Sequence, residues 1–536
     1  MASTTSTKIG EWRTFHDNGP FPTKIFLDTK LAAKGTFPEY VDYYNDAAAE
    51  IQRQLQEALN KNERFRAIGS AWSLSNIAHQ NDRMHYNGRM NMKWAIAAAN
   101  LHPKSPYKSE HLFFFQCGNI IKEVSEFLAT KAKSLKTSGA SNGQTIGGAI
   151  STGIHGSGID IGSFQDCVVG LNLIIGPGVN DRIYLERHTR PALNGAYVNT
   201  FKSRVIRNDG LFNAALVGLG SFGFVHGVLL EAEDRFLLKR YTCKMKKDDA
   251  MKLARTMNFA FPSGIDPVKI PEAASGTKPF HYKLYVNPYN KKEDFVAEII
   301  YKKPYQSGYP DPIPRIKTAL YKDLPDLMAV IAAKFNRLIP LLMNALKGNI
   351  FPPLDIEVTG TLNEIFWNSQ HSGPAFAIAL GVDHSKVDQA LDLFIQVANT
   401  QGPVPGAIGI RFVKASEATL AFTKFSLTCM IEMDGITWKG NANIISLLEF
   451  ETRLFEAFRN AGIEFTLHWG KNTAWHLPGL INYMYGNKDD LWMDYRSALL
   501  GKQLCDLFSN NFLNTCGLSQ YRANVPASKI ANLLPG

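Results

Sequence analysis

Residues 135–158 read LKTSGASNGQTIGGAISTGIHGSG, the segment of this chain richest in chemical possibility. Glycine at this density lets backbone approach a bound group closely, or take up positive φ. Exposed N–H groups in such loops form concave nests for anions. Ser and Thr hydroxyls between the glycines add further donors, so a diphosphate would suit the cradle. The spacing is neither GxGxxG nor GxxxxGK(S/T), which argues against a Rossmann or P-loop site. A set of tight turns in a β-rich region is the alternative reading. The six cysteines, Cys117, Cys167, Cys243, Cys429, Cys505 and Cys516, form no CxxC pair and no Cys/His cluster, so no metal site is expected.

Other elements must position this segment. RFRAIG reads as a short strand running into a small-residue loop, RAIGSAWSLSNIA over 66–78. Residues 47–60 have helical spacing, with Ile51, Leu55 and Leu59 on one face. HLFFFQCG at 111–118 predicts a strand, 120–130 a helix, and VVGLNLIIGPG at 168–178 a buried strand ending in a turn. ALVGLGSFGFVHGVL at 215–229 is a second glycine-punctuated apolar element.

The texture changes near residue 241. YKLYVN and AEIIY read as strands, prolines 304–314 mark a loop, and 318–347 reads as interrupted helix. The apolar run 338–346 suits either a surface that docks on a membrane or partner, or a pocket-lining helix. AFAIALGVD, a helix at 385–398, IGIRFVKA and LTCMIEMD then give strand, helix, strand, strand, as in an α+β layer.

Composition limits the partners. Of 536 residues, 45% are apolar and 20% charged, the balance of an ordinary globular protein. The net charge of +10 is spread out, with no long basic run, so nucleic acid is not an expected partner. No secretory signal and no stretch of 18 apolar residues is visible, so the sequence predicts a cytoplasmic protein without a membrane span.

Four segments taken in order resemble the vanillyl-alcohol-oxidase-type (PCMH) flavoprotein family, and within it the aldonolactone and alditol oxidase branch. AIGSAWS at 67–73 is similar to the family's pyrophosphate loop, and TIGGAISTGIHGSG at 145–158 is the nearest match. GLGSFGFVHGV at 218–228 is similar to the element along the flavin's pyrimidine edge, and HWGK at 468–471 to the branch's C-terminal signature.

The resemblance implies an α+β fold of two domains. An FAD domain would span 1–240 and be completed by 472–536, with a cap built on an antiparallel sheet between them, 241–471. It further implies FAD contacts from Ile68, Gly69, Ser70, Ala71, Trp72 and Ser73. More would come from Ser138, Gly139, Thr145, Gly147, Gly148, Ser151, Thr152, Gly153, His155 and Gly156. Gly220, Gly223, Val225 and Lys471 complete the set.

Two departures matter. Where the oxidase branch carries a histidine bonded to the flavin, this chain has Trp72, and Ser141 stands near the place of the second attachment in bicovalent relatives. FAD is therefore expected to be non-covalent, with His155 the rival attachment point. In AIGIRFV, Arg411 is kept but Gly409 replaces the glutamate of the branch's Glu-x-Arg pair, which removes an acceptor for a polyol hydroxyl.

The expected reaction is oxidation of an alcohol, lactone or polyol-like small molecule by hydride transfer to flavin N5, with the electron acceptor left open. His468 is the candidate base, because imidazole titrates near neutral pH. Glu432 is a second acid/base candidate, and Lys471 or Arg411 would stabilise charge on the reduced flavin. Amine oxidation or oxidative ring closure is an alternative on the same fold. A catalytically inactive FAD-binding protein is an alternative of another class.

Overall fold

A computed structural model describes residues 1–139, 141–259, 265–290, 294–310, 336–345, 351–366, 375–435, 437–438, 440 and 445–525. The helical expectation for 318–347 falls largely outside these residues, as does Trp367.

The first 234 residues build two main sheets. A four-stranded sheet runs in the order Ser3–Lys8, Ile25–Lys30, Arg83–Tyr86, Phe65–Ile68. A six-stranded sheet has the order Arg204–Arg207, Arg182–Glu186, Val168–Ile174, Phe224–Glu231, Leu112–Gln116, Lys93–Ala95. The helix Tyr40–Asn60 covers them. It starts before residue 47 because Tyr44 extends the apolar stripe formed by Ala47, Ala48, Ile51, Leu55 and Ala58, all buried. Burying each of the larger aliphatic side chains contributes about 1.5–3 kcal/mol. Inside the stripe, the Tyr44 hydroxyl donates to Asn172 Oδ1 at 2.6 Å, fixing the helix against the central strand.

An eight-stranded antiparallel sheet follows, from Phe236–Met245 to Phe465–Leu467 in chain order. Residue 241 lies inside its first strand, which begins where the chain crosses from one sheet system to the other. Alternation along the strands decides which face each residue meets. Tyr282, Leu284, Ile408, Ile410, Phe412, Ile431 and Met433 are buried on one face. Helices Lys247–Thr256 and Val387–Gln401 pack on that side, where the Tyr282 hydroxyl donates to Ala250 O at 3.0 Å. The opposite face carries Lys283, Tyr285, Gly409, Arg411, Glu432 and Asp434 in cross-strand register. Phe366, Phe376, Phe412 and Phe422 are all buried, so these aromatics serve mainly as core.

The C-terminal segment returns to the first two sheets. Trp492 Nε1 donates to Val217 O at 3.2 Å, and Arg496 Nε to Ser221 O at 3.1 Å. Asn510 is fully buried and donates to both Ile77 O and His79 O, each at 2.9 Å. The apolar run is described up to residue 345: Met343 is buried and lines a cavity, whereas Leu338 and Leu341 face solvent. No helix among the described residues is long and apolar enough to cross a membrane.

Two of these anchors can be tested. Asn510→Ala would strand the buried His79 carbonyl, at about 1–3 kcal/mol, and leave Ile77 O with Arg66 alone. A clear fall in thermal midpoint is expected, and an unchanged midpoint would reject the anchor.

The second is Glu451, buried in the helix Leu447–Asn460, which accepts from Thr473 N, Thr473 Oγ1 and Ala474 N at 2.6, 2.9 and 2.8 Å. Burial raises this carboxyl to about 7, against the pull of those donors. The folded protein therefore holds a proton between about pH 4.5 and 7 that the unfolded chain has released, so this contribution to stability declines as pH rises through that window. Glu451→Gln mimics the protonated form. Wild type should lose ground to it from pH 5 to pH 7.5 in thermal midpoint, and a difference constant with pH would refute the assignment.

Candidate active site

A cavity of about 700 Å3 lies between the two sheet systems, within the range of roughly 300–1,000 Å3 that small-molecule sites span. All four glycine-bearing motifs reach it. Ala67 to Ser73 form one wall, in a loop where Ala71 takes a φ of 57° and its carbonyl accepts from Phe15 N at 2.9 Å. Gly69 is required there: a Cβ would sit 1.8 Å from Thr145 Oγ1, so the two motifs touch because residue 69 has no side chain. Thr145 in turn caps the short helix Ile146–Ser151 through Gly148 N.

Of the expected cofactor contacts, Ile68 to Ser73, Gly139, Thr145, Gly147, Gly148, Ser151, Thr152, His155, Gly220, Gly223, Val225 and Lys471 line the cavity. Ser138, Gly153 and Gly156 do not. Gly156 packs on Thr137, whose Oγ1 would be 1.8 Å from a Cβ, so its glycine serves packing rather than the cavity. Ser138 bonds locally through Oγ to Gly139 O. Gly153 has a φ of 65° and closes the helical turn.

The wall fits a dianionic diphosphate. Arg66 is buried and lines it, and its guanidinium donates only to the carbonyls of Gly220 and Ile77. Among the described residues no carboxylate pairs with it, and burial pulls it down to about 9. A buried cation facing a glycine-lined wall lacks the countercharge such a ligand would bring.

The cap sheet supplies a second cluster. Glu432 is buried just behind the wall, and both its oxygens are committed. Oε2 accepts from Arg411 Nη2 at 2.6 Å. Oε1 accepts from Lys471 Nζ at 2.6 Å and lies 3.0 Å from His155 Nε2. Burial opposes the charge of Glu432, but Arg411, Lys471 and His155 outweigh it and hold the carboxyl well below its ordinary range. That suits an anchor for cations, and argues against Glu432 as the acid or base.

His155 is held down to about 4 by burial and Arg411. Its Nδ1 faces Gly156 O at 3.1 Å while Nε2 faces Glu432, so a neutral ring has one proton for two acceptors. Ser157, absent from the expected set, ties this loop to the cap sheet. Its Oγ accepts from Arg411 Nη1 at 3.0 Å and its carbonyl lies 3.0 Å from His281 Nδ1.

His468 has a different role from the one expected. Gly470 N–H donates to its Nδ1 at 3.1 Å, which leaves the ring proton on Nε2. Burial, His155 and Lys471 keep the ring neutral by holding it well below its ordinary range. A neutral ring with a protonated, buried and otherwise unpartnered Nε2 is a hydrogen-bond donor, not a base.

Two cavity residues gave little sequence signal. His16 lies between the short strands Glu11–Trp12 and Phe21–Pro22, 5.4 Å edge-on to Trp72, which also stacks on Phe15 at 4.5 Å. Lys283 lies on a cap strand, and strict alternation in HYKLYV was its only signal.

Comparison with known proteins agrees with this geometry. Residues 44–179 match the family described as FAD binding domain. The chain is 25% identical over 209 residues to a putative D-arabinono-1,4-lactone oxidase of Neurospora crassa, covering 38% of this chain and 32% of that protein. It is 24% identical over 204 residues to the L-gulonolactone oxidase of Mus musculus, covering 38% and 39%. The matched stretch thus spans about a third of the first relative and two fifths of the second. The crystal structure of cholesterol oxidase from B. sterolicum superposes with a TM-score of 0.66 at 12% identity, over 96% of this chain and 97% of that one. Residues 44–179 are thus similar to an FAD-binding domain, and the chain shares the fold of that oxidase, the vanillyl-alcohol-oxidase-type fold that the four motifs led us to expect.

Proposed function

We propose that this chain is an FAD-dependent oxidoreductase that oxidises a CH–OH group of a small molecule, an alcohol or a lactone. The observation that carries the reading is the Arg411–Glu432–Lys471 cluster beside a cavity shared by all four glycine-bearing motifs. Relatives named as lactone oxidases and a fold shared with cholesterol oxidase support it. We assign residues 1–240 and 472–536 to cofactor binding and 241–471 to the cap.

FAD, when bound, supplies the two-electron acceptor, taking hydride from the substrate carbon at N5. Arg66 and the 67–73 and 145–152 loops would hold its diphosphate. Arg411 and Lys471, fixed by Glu432, present positive charge where negative charge develops, without reorganising as it appears. The hydroxyl proton would leave to solvent through the cavity, because Glu432 and His155, both held well below their ordinary ranges, do not retain it. His468 donates a hydrogen bond. Trp72 offers no attachment atom and both ring nitrogens of His155 are engaged, which supports non-covalent FAD.

The first test is the visible spectrum of the purified protein incubated with FAD, before and after acid precipitation. Flavin bands that move wholly to the supernatant are expected. Flavin in the pellet would point to His16 or His155, and no flavin at all would refute the reading. The second is Arg411→Met in the flavin-loaded protein, with turnover followed on lactones and secondary alcohols using an artificial acceptor. A loss of about 10²–10³-fold in kcat is expected, and unchanged kcat would remove Arg411 from the mechanism.

A further inference from the structure

The sheet face that walls the cavity carries one cation that no carboxylate of the described residues pairs with. Its cations are Lys283, Arg411 and Lys471. Of its acids, Glu432 is taken by Arg411 and Lys471, and Asp434 stands at the exposed edge. Glu298, directly opposite Lys283 on the neighbouring strand, is engaged by His281 at 3.2 Å. Lys283 is left with the Tyr285 ring, 4.4 Å from its Nζ, and no carboxylate of the described residues within ion-pairing distance.

Gly409 explains where that ammonium group lies. A Cβ at residue 409 would be 3.2 Å from Lys283 Cε and 3.7 Å from its Nζ. The lysine therefore runs over the glycine and fills the space that a longer side chain there would need. The residue pattern on the neighbouring strand replaces an acceptor with a cation. This wall should favour a substrate that brings negative charge.

We propose that Lys283 pairs with a carboxylate on the substrate, so that the compound oxidised is a hydroxy acid rather than a neutral polyol or lactone. Burial and the adjacent Arg411 both disfavour the charge of Lys283, and an anion beside it relieves both. Gly409 pairs with Glu432 on strands about 4.8 Å apart. The anion site and the Arg411–Glu432–Lys471 cluster are thus close neighbours, which fits a carboxylate a few bonds from the oxidised carbon. Met343, Ala377 and Ala407 leave the nearby wall apolar, so the rest of the substrate would be a hydrocarbon or aromatic body. This inference rests on the flavoenzyme reading above.

The test uses flavin-loaded protein titrated with benzoate and acetate, and in parallel with benzamide and acetamide, with Kd read from the perturbed flavin spectrum. Each acid is expected to bind at least tenfold tighter than its amide. Lys283→Met should erase that preference while the amides bind as before, and Lys283→Arg should keep it. Retained flavin uptake in both variants reports an intact fold. Equal affinity for acids and amides in wild type, no perturbation by either acid, or an acid preference that survives in Lys283→Met would each overturn the proposal while leaving the flavoenzyme reading standing. A protein that takes up no flavin would overturn both.

Discussion

A carboxylate buried as deeply as Glu432 is sustained only where cations and hydrogen-bond donors surround it. Here the partners come from three places in the chain: the neighbouring strand through Arg411, the turn after Phe465–Leu467 through Lys471, and the glycine-rich segment through His155, with Ser157 of that segment accepting from Arg411. Meeting that requirement brings the cap sheet, the glycine loop and the 468–471 turn to one point. Glu451 secures the same turn from the other side by accepting from Thr473 and Ala474. The cavity is bounded by what these charges hold together.

The eight-stranded sheet divides its two faces strictly. On the strands His281–Val286 and Gly406–Lys414, even-numbered Tyr282 and Ile410 bury against helices while odd-numbered Lys283, Gly409 and Arg411 look toward the cavity; on Leu427–Gly435 the parity reverses, with Ile431 and Met433 buried and Glu432 and Asp434 on the cavity side. A register slip of one residue would turn the charged row into the helical core. Core packing on one side thereby fixes side-chain chemistry on the other, and the apolar residues of the cap select which polar ones reach the site.

Much of this was legible in the chain itself. Each of the four motifs reaches the cavity, because a backbone that must approach a ligand or another loop closely requires glycine, and glycine is visible in sequence. The α+β fold followed from strand patterning and the family resemblance. Less legible were contacts set by three-dimensional proximity. His468 looked like a base because its type permits it, and only Gly470 N–H at its Nδ1 reveals which nitrogen carries the proton. Glu432 resembled a lone strand carboxylate because its partners lie 21 and 39 positions away in sequence or farther. Gly156 looked like part of the cradle, but Thr137 beneath it is the reason it lacks a side chain. Lys283 could have been read from alternation alone, though nothing local marked it among the other lysines.

The Asn510 side chain spans 433 positions to reach Ile77, a residue of the cavity wall. During synthesis, the loop over 67–78 leaves the ribosome long before the side chain that pairs its carbonyls has been made. The wall can acquire its final hydrogen bonds only after residue 510 has been translated. Stable loading of a ligand against that loop is thus a late event in biogenesis, and a chain interrupted before residue 510 would carry every glycine motif yet leave this part of the wall unfinished.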